Sequence, residues 1–390
     1  MTRVVPLVLA GVLALTVAAG GQKVEWPGAA WPRATPESEG LLADALDTFD
    51  RDIKSAAYGH IDRLFVTRRG RAVVDATYAR DYHEISRGRV SPIGCGQGCT
   101  DAAQMHHYNY LHPRWHPFYE GRSVHTLQSV TKSVAATVLG VALQEDRLRS
   151  LDTPMLDFFR EYKLANPDAR LRKATLDDVL TMRTGMEWHE QDRPLNETNT
   201  TIQLERSADW IQFTLDQPMD AEPRTKWAYN SGGSMLLSGI VRTATSQHID
   251  EYARAHLFAP IGIRDFHWKR TPTGHPDTEG GLYLTAEDLA RIGYLYLRDG
   301  VWNGRRILPA GWVSRATMRH VTGVAPGWDY GYQWWLTRRG EVDVWAGRGF
   351  GGQLLIVVPS RDIVAVVLAW NVFGTPAGNP FGALLQALGL

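Results

Sequence analysis

Ser129 and Lys132 stand three residues apart at the head of a long apolar run, and together they could form a nucleophile and its base. On a helix, side chains three residues apart lie on one face, one turn from each other. A serine hydroxyl becomes nucleophilic when a neighbour takes its proton, and a buried amine with a depressed pKa can do this. The first turn of a helix would also favour an oxygen that gains negative charge. By itself the spacing also fits a helix-capping serine and a surface lysine.

The elements that must position this pair follow from the pattern of apolar and turn-forming residues. After Lys132 the run to residue 143 is almost wholly apolar and too long for a single strand, which predicts a buried helix. Residues 229–233 read as a glycine-rich turn that opens onto an apolar segment at 235–241. Further helices are predicted at residues 41–56, 175–182 with a threonine cap, 207–215, after the Thr285 cap, and 381–390.

Strand-like runs lie near both ends of the chain. Residues 63–67 and 72–76, separated by an Arg-Arg-Gly turn, predict a β-hairpin. The tail has further runs joined by short turns, which predict antiparallel pairing: 330–335, 342–345, 353–358 and 363–368. We therefore expect an α+β fold with one antiparallel sheet flanked by helices. Residues 35–121 and 283–390 would form this sheet domain, and residues 122–282 an inserted, mostly helical domain that carries Ser129 and Tyr229.

Composition limits the classes of function. The chain has 390 residues and 44% hydrophobic content, enough for two or three domain-sized units with full cores. Lysine plus arginine and aspartate plus glutamate both number 42, so the formal net charge is zero. A neutral chain gives no electrostatic reason to expect binding to nucleic acid or to an anionic membrane.

The N-terminus has the pattern of a secretory signal peptide. Arg3 supplies a positive charge, residues 4–21 are uncharged and rich in small and apolar side chains, and small residues near position 20 suit signal peptidase. We expect residues 1–20 to be removed and the protein to be exported, periplasmic or secreted, with no stable membrane association afterwards. The alternative is an uncleaved anchor, for which the run is only marginally long enough.

The polar segment from Tyr78 to Gly121 contains both cysteines and a group of histidines. One interpretation is a metal site, but the spacing matches no zinc signature. A local disulfide between Cys95 and Cys99, in a glycine-rich loop, suits an exported chain with two cysteines and is the interpretation we favour. The histidines would then pack within the loop: His106, His107, His112, His116 and His125. No metal or organic cofactor is predicted.

Three motifs occur in an order that resembles a known superfamily. Ser129-Val130-Thr131-Lys132 is followed by Tyr229-Asn230-Ser231, and then by the glycine-rich segment 346–353 between two strands. In this order they resemble the serine β-lactamases and penicillin-recognising enzymes, and more narrowly the branch of class C-like esterases and 6-aminohexanoate-dimer hydrolases. The resemblance covers most of the chain from Thr35 onward and implies a β-lactamase-like fold.

The resemblance implies roles for individual residues. Ser129 would be the acylated nucleophile, Lys132 would hold the proton network, and Tyr229 would act as the base that later protonates the leaving group. A lysine ammonium beside Tyr229 would lower the pKa of its phenol. The backbone N–H groups of Ser129 and Phe350 would form the oxyanion hole. Candidate substrate-binding residues are Trp188, Ser231, Arg348 and Gly349.

Two positions depart from the superfamily pattern. Ser231 stands where many relatives have asparagine, and Arg348-Gly349 stands where relatives have Lys-Thr-Gly or His-x-Gly. Both departures alter contacts that recognise antibiotics while they leave the acylation machinery in place. We therefore expect an exported serine hydrolase that cleaves esters or amides of small molecules. A β-lactamase or D-Ala-D-Ala carboxypeptidase is the alternative within this class, and a non-catalytic scaffold is the alternative from another class.

Overall fold

A computed structural model describes residues 24–87, 121, 123–165, 167–372 and 378–390. The predicted signal peptide, Cys95, Cys99 and four of the five histidines lie outside these ranges, so the disulfide, metal and cleavage hypotheses stay predictions. The helices are α1 (Ala43–Lys54), α2 (Tyr82–Ser86), α3 (Val130–Gln144), α4 (Leu176–Leu180), α5 (Thr200–Arg206), α6 (Trp210–Leu215), α7 (Ser231–Thr245), α8 (Ile249–Ala253), α9 (Ala259–Ile261), α10 (Ala286–Leu297), α11 (Trp312–Ala316) and α12 (Pro380–Ala387).

Eight strands of the described chain form one antiparallel sheet, in the order β2-β1-β13-β12-β11-β10-β9-β8. They are β1 (Ile61–Arg68), β2 (Arg71–Thr77), β8 (Val321–Ala325), β9 (Trp328–Tyr330), β10 (Trp335–Arg339), β11 (Val342–Gly349), β12 (Gln353–Val358) and β13 (Ile363–Ala369). The N-terminal hairpin pairs with β13, for example Leu64 with Val367. This confirms the predicted single sheet built from both ends of the chain. Shorter strands make two small sheets: β3 (His125–Thr126), β4 (His267–Trp268), β5 (Leu282–Leu284), β6 (Val301–Trp302) and β7 (Arg305–Arg306).

Strands β12 and β13 are buried along their whole length because helices cover both faces of the sheet. Side chains alternate between faces along a strand. Leu355 and Val366 lie in the core that contains α3 and α10, whereas Ile356 and Val367 lie in the core that contains α1 and α12. Each buried side chain of this size contributes about 1.5–3 kcal/mol relative to an exposed one. Helices on both faces of an antiparallel sheet agree with the predicted α+β class.

Helix α3 begins immediately after Ser129 and is buried from Val130 to Ala142. It therefore confirms the buried helix predicted from the apolar run. The residues around it come from distant parts of the chain: Leu127 donates its N–H to the carbonyl of Leu282 at 2.9 Å. The boundaries of the inserted helical domain stay predictions. Among the described helices, none has both the length and the apolar character needed to cross a membrane.

The predicted glycine-rich turn at residues 229–233 is wrong, because α7 already begins at Ser231 and includes both glycines. Asn230 caps this helix by accepting the N–H of Gly233 at 2.6 Å. Gly232 is required for packing rather than for a turn: a Cβ there would lie 2.5 Å from Cη2 of Trp188. The close approach of Trp188 thus explains why residue 232 is a glycine. The periodicity of apolar residues along the sequence does not reveal such a contact.

The predicted strand at residues 330–335 is also wrong, since β9 ends at Tyr330 and β10 begins at Trp335. Between them Gln333 has a φ of 59°, which interrupts extended backbone. The side-chain nitrogen Nε2 of Gln333 donates to the carbonyls of Val179 at 3.0 Å and Leu180 at 3.2 Å. Gln333 therefore connects the sheet to the helical region instead of continuing a strand.

Replacing Gly232 with alanine should destabilise the protein by about 1–3 kcal/mol, because the new methyl group collides with Trp188 and overpacks the core. Gly233→Ala is the matched control, since its nearest contact would be an ordinary 3.5 Å to Asn230. In a helix that change should be neutral or stabilise by up to about 1 kcal/mol. Urea denaturation measures both, and equal unfolding free energies for the two variants would contradict the packing argument.

Candidate active site

A cavity of about 970 Å³ lies where the start of α3, the end of β11 and the segment before α7 meet. Ser129, Tyr229, Arg348, Gly349 and Phe350 all line it. The fold therefore brings together five of the residues that the sequence singled out, although they come from three separate motifs. Phe350 lies at the β11–β12 turn in the same cavity as Ser129, and its assignment to an oxyanion hole stays a prediction.

The three residues proposed for acylation are in contact with one another. Nζ of Lys132 donates to Oγ of Ser129 at 3.0 Å and lies 5.2 Å from the ring centre of Tyr229. The Ser129 hydroxyl also lies near enough to Tyr229 to lower the pKa of its phenol. Lys132 is 1% exposed, whereas Ser129 is half-buried at the cavity surface. The Ser129 hydroxyl therefore has two neighbours, Lys132 and Tyr229, through which its proton can leave.

Lys132 has a raised pKa, not the depressed pKa expected from burial. Burial alone lowers the pKa of Lys132, but the ionised form of Tyr229 and several carboxylates raise it by more. Glu279 is the carboxylate in direct contact: Nζ of Lys132 lies 2.6 Å from its carbonyl oxygen and 3.3 Å from its Oε2. Glu190 and Asp277 contribute at longer range. Lys132 is therefore an ammonium ion at neutral pH.

Tyr229 also has a raised pKa, although the Lys132 ammonium lowers it in the expected direction. Burial raises the pKa of Tyr229, and the Lys132 ammonium and the nearby Ser129 hydroxyl offset this only in part. Three aromatic neighbours enclose the ring, with centroids 5.6–6.4 Å away: Trp227, Tyr330 and Trp335. In the resting protein the pair is thus a lysine ammonium beside a neutral phenol.

The backbone before the nucleophile is held in an uncommon conformation. Gln128 has a φ of 47°, in the left-handed region that non-glycine residues rarely adopt. Its amide donates to Oγ1 of Thr126 at 2.8 Å. Strand β11 passes so close that a Cβ on Gly349 would lie 2.5 Å from the carbonyl oxygen of Leu127. Because residue 349 is a glycine, β11 can lie against the segment that directs the Ser129 side chain into the cavity.

Trp188 and Ser231 are not among the described residues that line the cavity, and both bind Glu190, which does line it. The indole nitrogen of Trp188 donates to Oε2 of Glu190 at 2.9 Å. Ser231 donates its N–H to Oε2 at 2.9 Å and its hydroxyl to Oε1 at 2.8 Å. Trp188 therefore packs behind the cavity wall instead of forming it. The polar groups of Ser231 bind the carboxylate of Glu190.

Arg348 extends from β11 into the cavity and packs against two tryptophans. Its guanidinium carbon lies 4.6 Å from the ring centre of Trp328 and 5.1 Å from that of Trp335. Such stacking is favourable for a planar cation. No carboxylate within the described ranges forms an ion pair with it. Arg348 is therefore a cation that can meet an anionic group in the cavity.

Three acidic residues in this cavity were missed from the sequence: Glu190, Glu205 and Glu279. Their positions in sequence are far apart and carry no recognised motif. Glu279 directly precedes residues 280–285 (GGLYLT), which also resemble a segment of the superfamily, and that neighbourhood was the one available signal. In the ranges that the structure describes, no group of three or more histidine, cysteine, aspartate or glutamate side chains is arranged to hold a metal ion.

Comparisons with known proteins agree with this geometry. A family model described as Beta-lactamase matches residues 45–388. The chain is 30% identical over 268 residues to the 6-aminohexanoate-dimer hydrolase of Paenarthrobacter ureafaciens, covering 63% of this chain and 66%, just under two thirds, of that relative.

Solved structures of other proteins are similar in fold, among them the following two. EstCE1, a hydrolase with promiscuous acyltransferase activity, has a TM-score of 0.67 at 12% identity, covering 90% of this chain and 99% of that chain. A penicillin-binding protein from Bacillus halodurans has a TM-score of 0.61 at 17% identity, covering 87% of this chain and 99% of that chain. At these identities the likeness concerns the fold alone.

The raised pKa values predict how the reactivity of Ser129 depends on pH. Lys132 and Tyr229 both hold their protons at neutral pH, so a base appears only as pH rises and one proton leaves the pair. The rate at which a fluorophosphonate labels the protein should therefore increase with pH above about 7.

Glu279→Gln should shift this rise to lower pH, because it removes the carboxylate that contacts the Lys132 ammonium. Glu341→Gln, which removes an exposed carboxylate in the β10–β11 turn, is the matched control and should leave the profile in place. An unshifted profile in Glu279→Gln would mean that this contact does not set the protonation of Lys132.

Proposed function

This chain belongs to the β-lactamase family and is a serine hydrolase of that fold, and we propose that it cleaves ester or amide bonds of small molecules through an acyl-enzyme on Ser129. The observation that carries the proposal is the hydrogen bond of 3.0 Å between Lys132 Nζ and Ser129 Oγ, inside a cavity that Tyr229 also lines. A nucleophile in contact with a proton-accepting pair is the arrangement that acyl transfer requires.

We propose that Lys132 and Tyr229 act as one proton-transfer unit. After the pair has lost one proton, the Ser129 hydroxyl gives its proton to the pair as Oγ attacks the substrate carbonyl. The bond to the leaving group then breaks, and the pair returns the proton to the departing alcohol or amine. Water then attacks the carbonyl of the acyl-enzyme as it gives a proton to the pair. The bond between that carbonyl and Ser129 Oγ breaks, the pair returns the proton to Oγ, and the carboxylic acid is released. The buried position of Lys132 supports this role, because its ammonium stabilises the phenolate of Tyr229 without competition from solvent.

The oxyanion of the tetrahedral intermediate would bind at the start of α3. This helix has 15 residues, and its first N–H groups and dipole favour negative charge beside Ser129. We propose the backbone N–H groups of Ser129 and Phe350 as its donors. Phe350 follows Gly349 directly, and the glycine allows β11 to come close to the nucleophile segment.

Two alternatives differ in substrate or in chemistry. A β-lactamase or D-Ala-D-Ala carboxypeptidase would need to recognise a carboxylate beside the scissile amide, and Arg348 is the available cation. A guanidinium packed against two tryptophan rings is planar and longer than the lysine of penicillin-recognising relatives, so it would place that carboxylate differently. A non-catalytic scaffold would not require Ser129, Lys132 and Tyr229 to be in contact. Export stays a proposal that rests on the composition of residues 1–20.

Ser129→Ala should abolish covalent labelling by a fluorophosphonate and leave the fold intact, because it removes one oxygen at the start of α3. Intact mass measures the stoichiometry of labelling. Ser360→Ala, at an exposed serine in the β12–β13 connection, is the matched control and should label like the parent protein. Full labelling of Ser129→Ala would place the nucleophile elsewhere and remove the basis of the proposal.

A short-chain nitrophenyl ester or a small linear amide should be hydrolysed with a kcat/KM at least about tenfold above that of a chromogenic cephalosporin. The reason is that the contacts used for β-lactams in relatives are replaced at Arg348 and Ser231, whereas the acylation groups remain. Ser129→Ala supplies the background rate for each substrate. A cephalosporin kcat/KM equal to or above that of the ester would favour the β-lactamase alternative.

A further inference from the structure

Gln333 lies between three helices that build the active site, and the proposed acylation steps do not use it. It is 1% exposed, and it is not among the described residues that line the cavity. Its backbone N–H donates to the carbonyl of Leu180 at 3.1 Å, and its Nε2 donates to Val179 and Leu180. Carbonyls at the end of a helix such as α4 lack partners within the helix, so Gln333 supplies them. This capping uses only the donor groups of Gln333.

The acceptor groups of Gln333 bind hydroxyls on two other helices. Its backbone carbonyl accepts the hydroxyl of Ser133 on α3 at 2.6 Å. Its Oε1 accepts the hydroxyl of Ser234 on α7 at 2.8 Å. Both serines are buried, so these hydrogen bonds form without competition from solvent. One residue before β10 thus ties α3 to α7.

The two serines adjoin the groups of the proposed proton-transfer unit. Ser133 directly follows Lys132 on α3. Ser234 donates its N–H to the carbonyl of Asn230 at 3.2 Å, and Asn230 directly follows Tyr229. A displacement of α3 or α7 at these serines therefore moves the backbone that carries Lys132 or Tyr229.

Ser234 is also linked to the segment that holds Lys132 from the other side. Its carbonyl accepts the hydroxyl of Thr278 at 2.9 Å. Thr278 directly precedes Glu279, whose carbonyl oxygen lies 2.6 Å from Nζ of Lys132. The tie at Ser234 therefore bears on the position of both members of the pair.

The separation of the pair matters because its members interact electrostatically in a buried site. Nζ of Lys132 lies 5.2 Å from the ring centre of Tyr229. The stabilisation of a phenolate by an ammonium group falls as their distance increases, and little solvent screens it here. Transfer of the Ser129 proton also requires groups within hydrogen-bond reach. A device that fixes this separation would therefore control the reactivity of the nucleophile.

We propose that Gln333 is a positioning residue that sets the separation between Lys132 and Tyr229 by tying α3 to α7. Its effect passes through Ser133 and Ser234, and it does not contact the reacting atoms. The role rests on the proposed function, because it assumes that Lys132 and Tyr229 move the proton of the nucleophile. A purely structural role, limited to capping α4, would change stability and leave the protonation of the pair as it is.

Two substitutions break the tie to α7 while the backbone bond to Ser133 remains. Gln333→Asn shortens the side chain by one methylene, so it cannot reach Ser234 and α4 together, and asparagine readily adopts the left-handed conformation. Ser234→Ala removes the hydroxyl that Oε1 binds. Ser238→Ala is the matched control: it is the same change one turn further along α7, at a buried hydroxyl without a hydrogen-bond partner among the described residues.

Both substitutions should lower kcat for a short-chain nitrophenyl ester by about tenfold to a hundredfold, the range expected when a reacting group is slightly misplaced. KM should stay within about twofold, because the groups that line the cavity are unchanged. Ser238→Ala should keep both constants.

The pH profile distinguishes positioning from a loss of packing. In Gln333→Asn and Ser234→Ala, the rise of fluorophosphonate labelling should move to higher pH, because a more distant ammonium stabilises the phenolate less. This direction is opposite to the shift expected for Glu279→Gln. The charged groups that act on the pair stay in place in every variant of this test: Glu190, Asp277, Glu279 and Arg348.

Thr137→Val is the control for loss of stability. It removes a buried hydroxyl that lies 3.0 Å from the hydroxyl of Tyr296 and joins α3 to α10 instead of α7. Urea denaturation should show a lower unfolding free energy for it, whereas its pH profile should match that of the parent protein. A profile that Gln333→Asn leaves in place, or that Thr137→Val shifts as far, would overturn the positioning role.

A measurement that does not require turnover separates failure of this role from failure of the proposed function. NMR of isotope-labelled tyrosine follows the ionisation of Tyr229, whose signal is identified by its absence from Tyr229→Phe. It should titrate at higher pH in Gln333→Asn and Ser234→Ala than in the parent protein. An unchanged titration would overturn the positioning role even if esters are hydrolysed. A shifted titration in a protein that neither hydrolyses esters nor reacts with fluorophosphonate would overturn the proposed function alone.

Discussion

The ammonium group of Lys132 must be paired inside the protein, and much of the active-site architecture follows from that constraint. Lys132 is 1% exposed, and an unpaired charge at such a position costs about 3–5 kcal/mol when a partner is removed. Its donors are directed to Ser129 and to two oxygens of Glu279, which lies 147 residues further along the chain. Glu279 is positioned in turn by Asp277, whose Oδ1 accepts its N–H at 3.0 Å. The nucleophile is therefore oriented by a buried polar network that reaches well beyond its own helix.

Close approach of two backbone segments, β11 and the segment around Ser129, is the second requirement of the site. Strand β11 can lie against the nucleophile segment because residues 347 and 349 are glycines: a Cβ on Gly347 would lie 2.9 Å from Val130, and one on Gly349 would lie 3.0 Å from Cβ of Gln128. Gln128 adopts a left-handed conformation at this crossing. Backbone strain of this kind persists where the surrounding packing determines it, and it is often found at functional sites. Here it directs Ser129 into the cavity.

The charges of the cavity are distributed unevenly, and this bears on which substrates it accepts. Arg348 contributes a cation packed against two tryptophans, whereas Glu190, Glu205 and Glu279 contribute acidic groups. Since the net charge of the whole chain is zero, this separation is a local property of the fold. A cavity that presents both signs, with apolar surface from Leu195 and Ile202, is better suited to extended polar molecules than to compact apolar ones.

Local sequence determined those features that depend on near neighbours. The apolar run after Lys132 is the buried helix α3, the hairpin turns give antiparallel strands, and the order of three motifs indicates the family. Tertiary structure alone decided the direction of the Lys132 and Tyr229 pKa values. Burial raises that of Tyr229, and Tyr229 together with carboxylates from distant segments raises that of Lys132. It also decided that Gly232 lies in a helix against Trp188 and that Gln333 interrupts a strand. The periodicity of apolar residues indicates which face of each helix or strand is buried. Electrostatic coupling and close packing depend instead on which distant residues the fold brings next to that element.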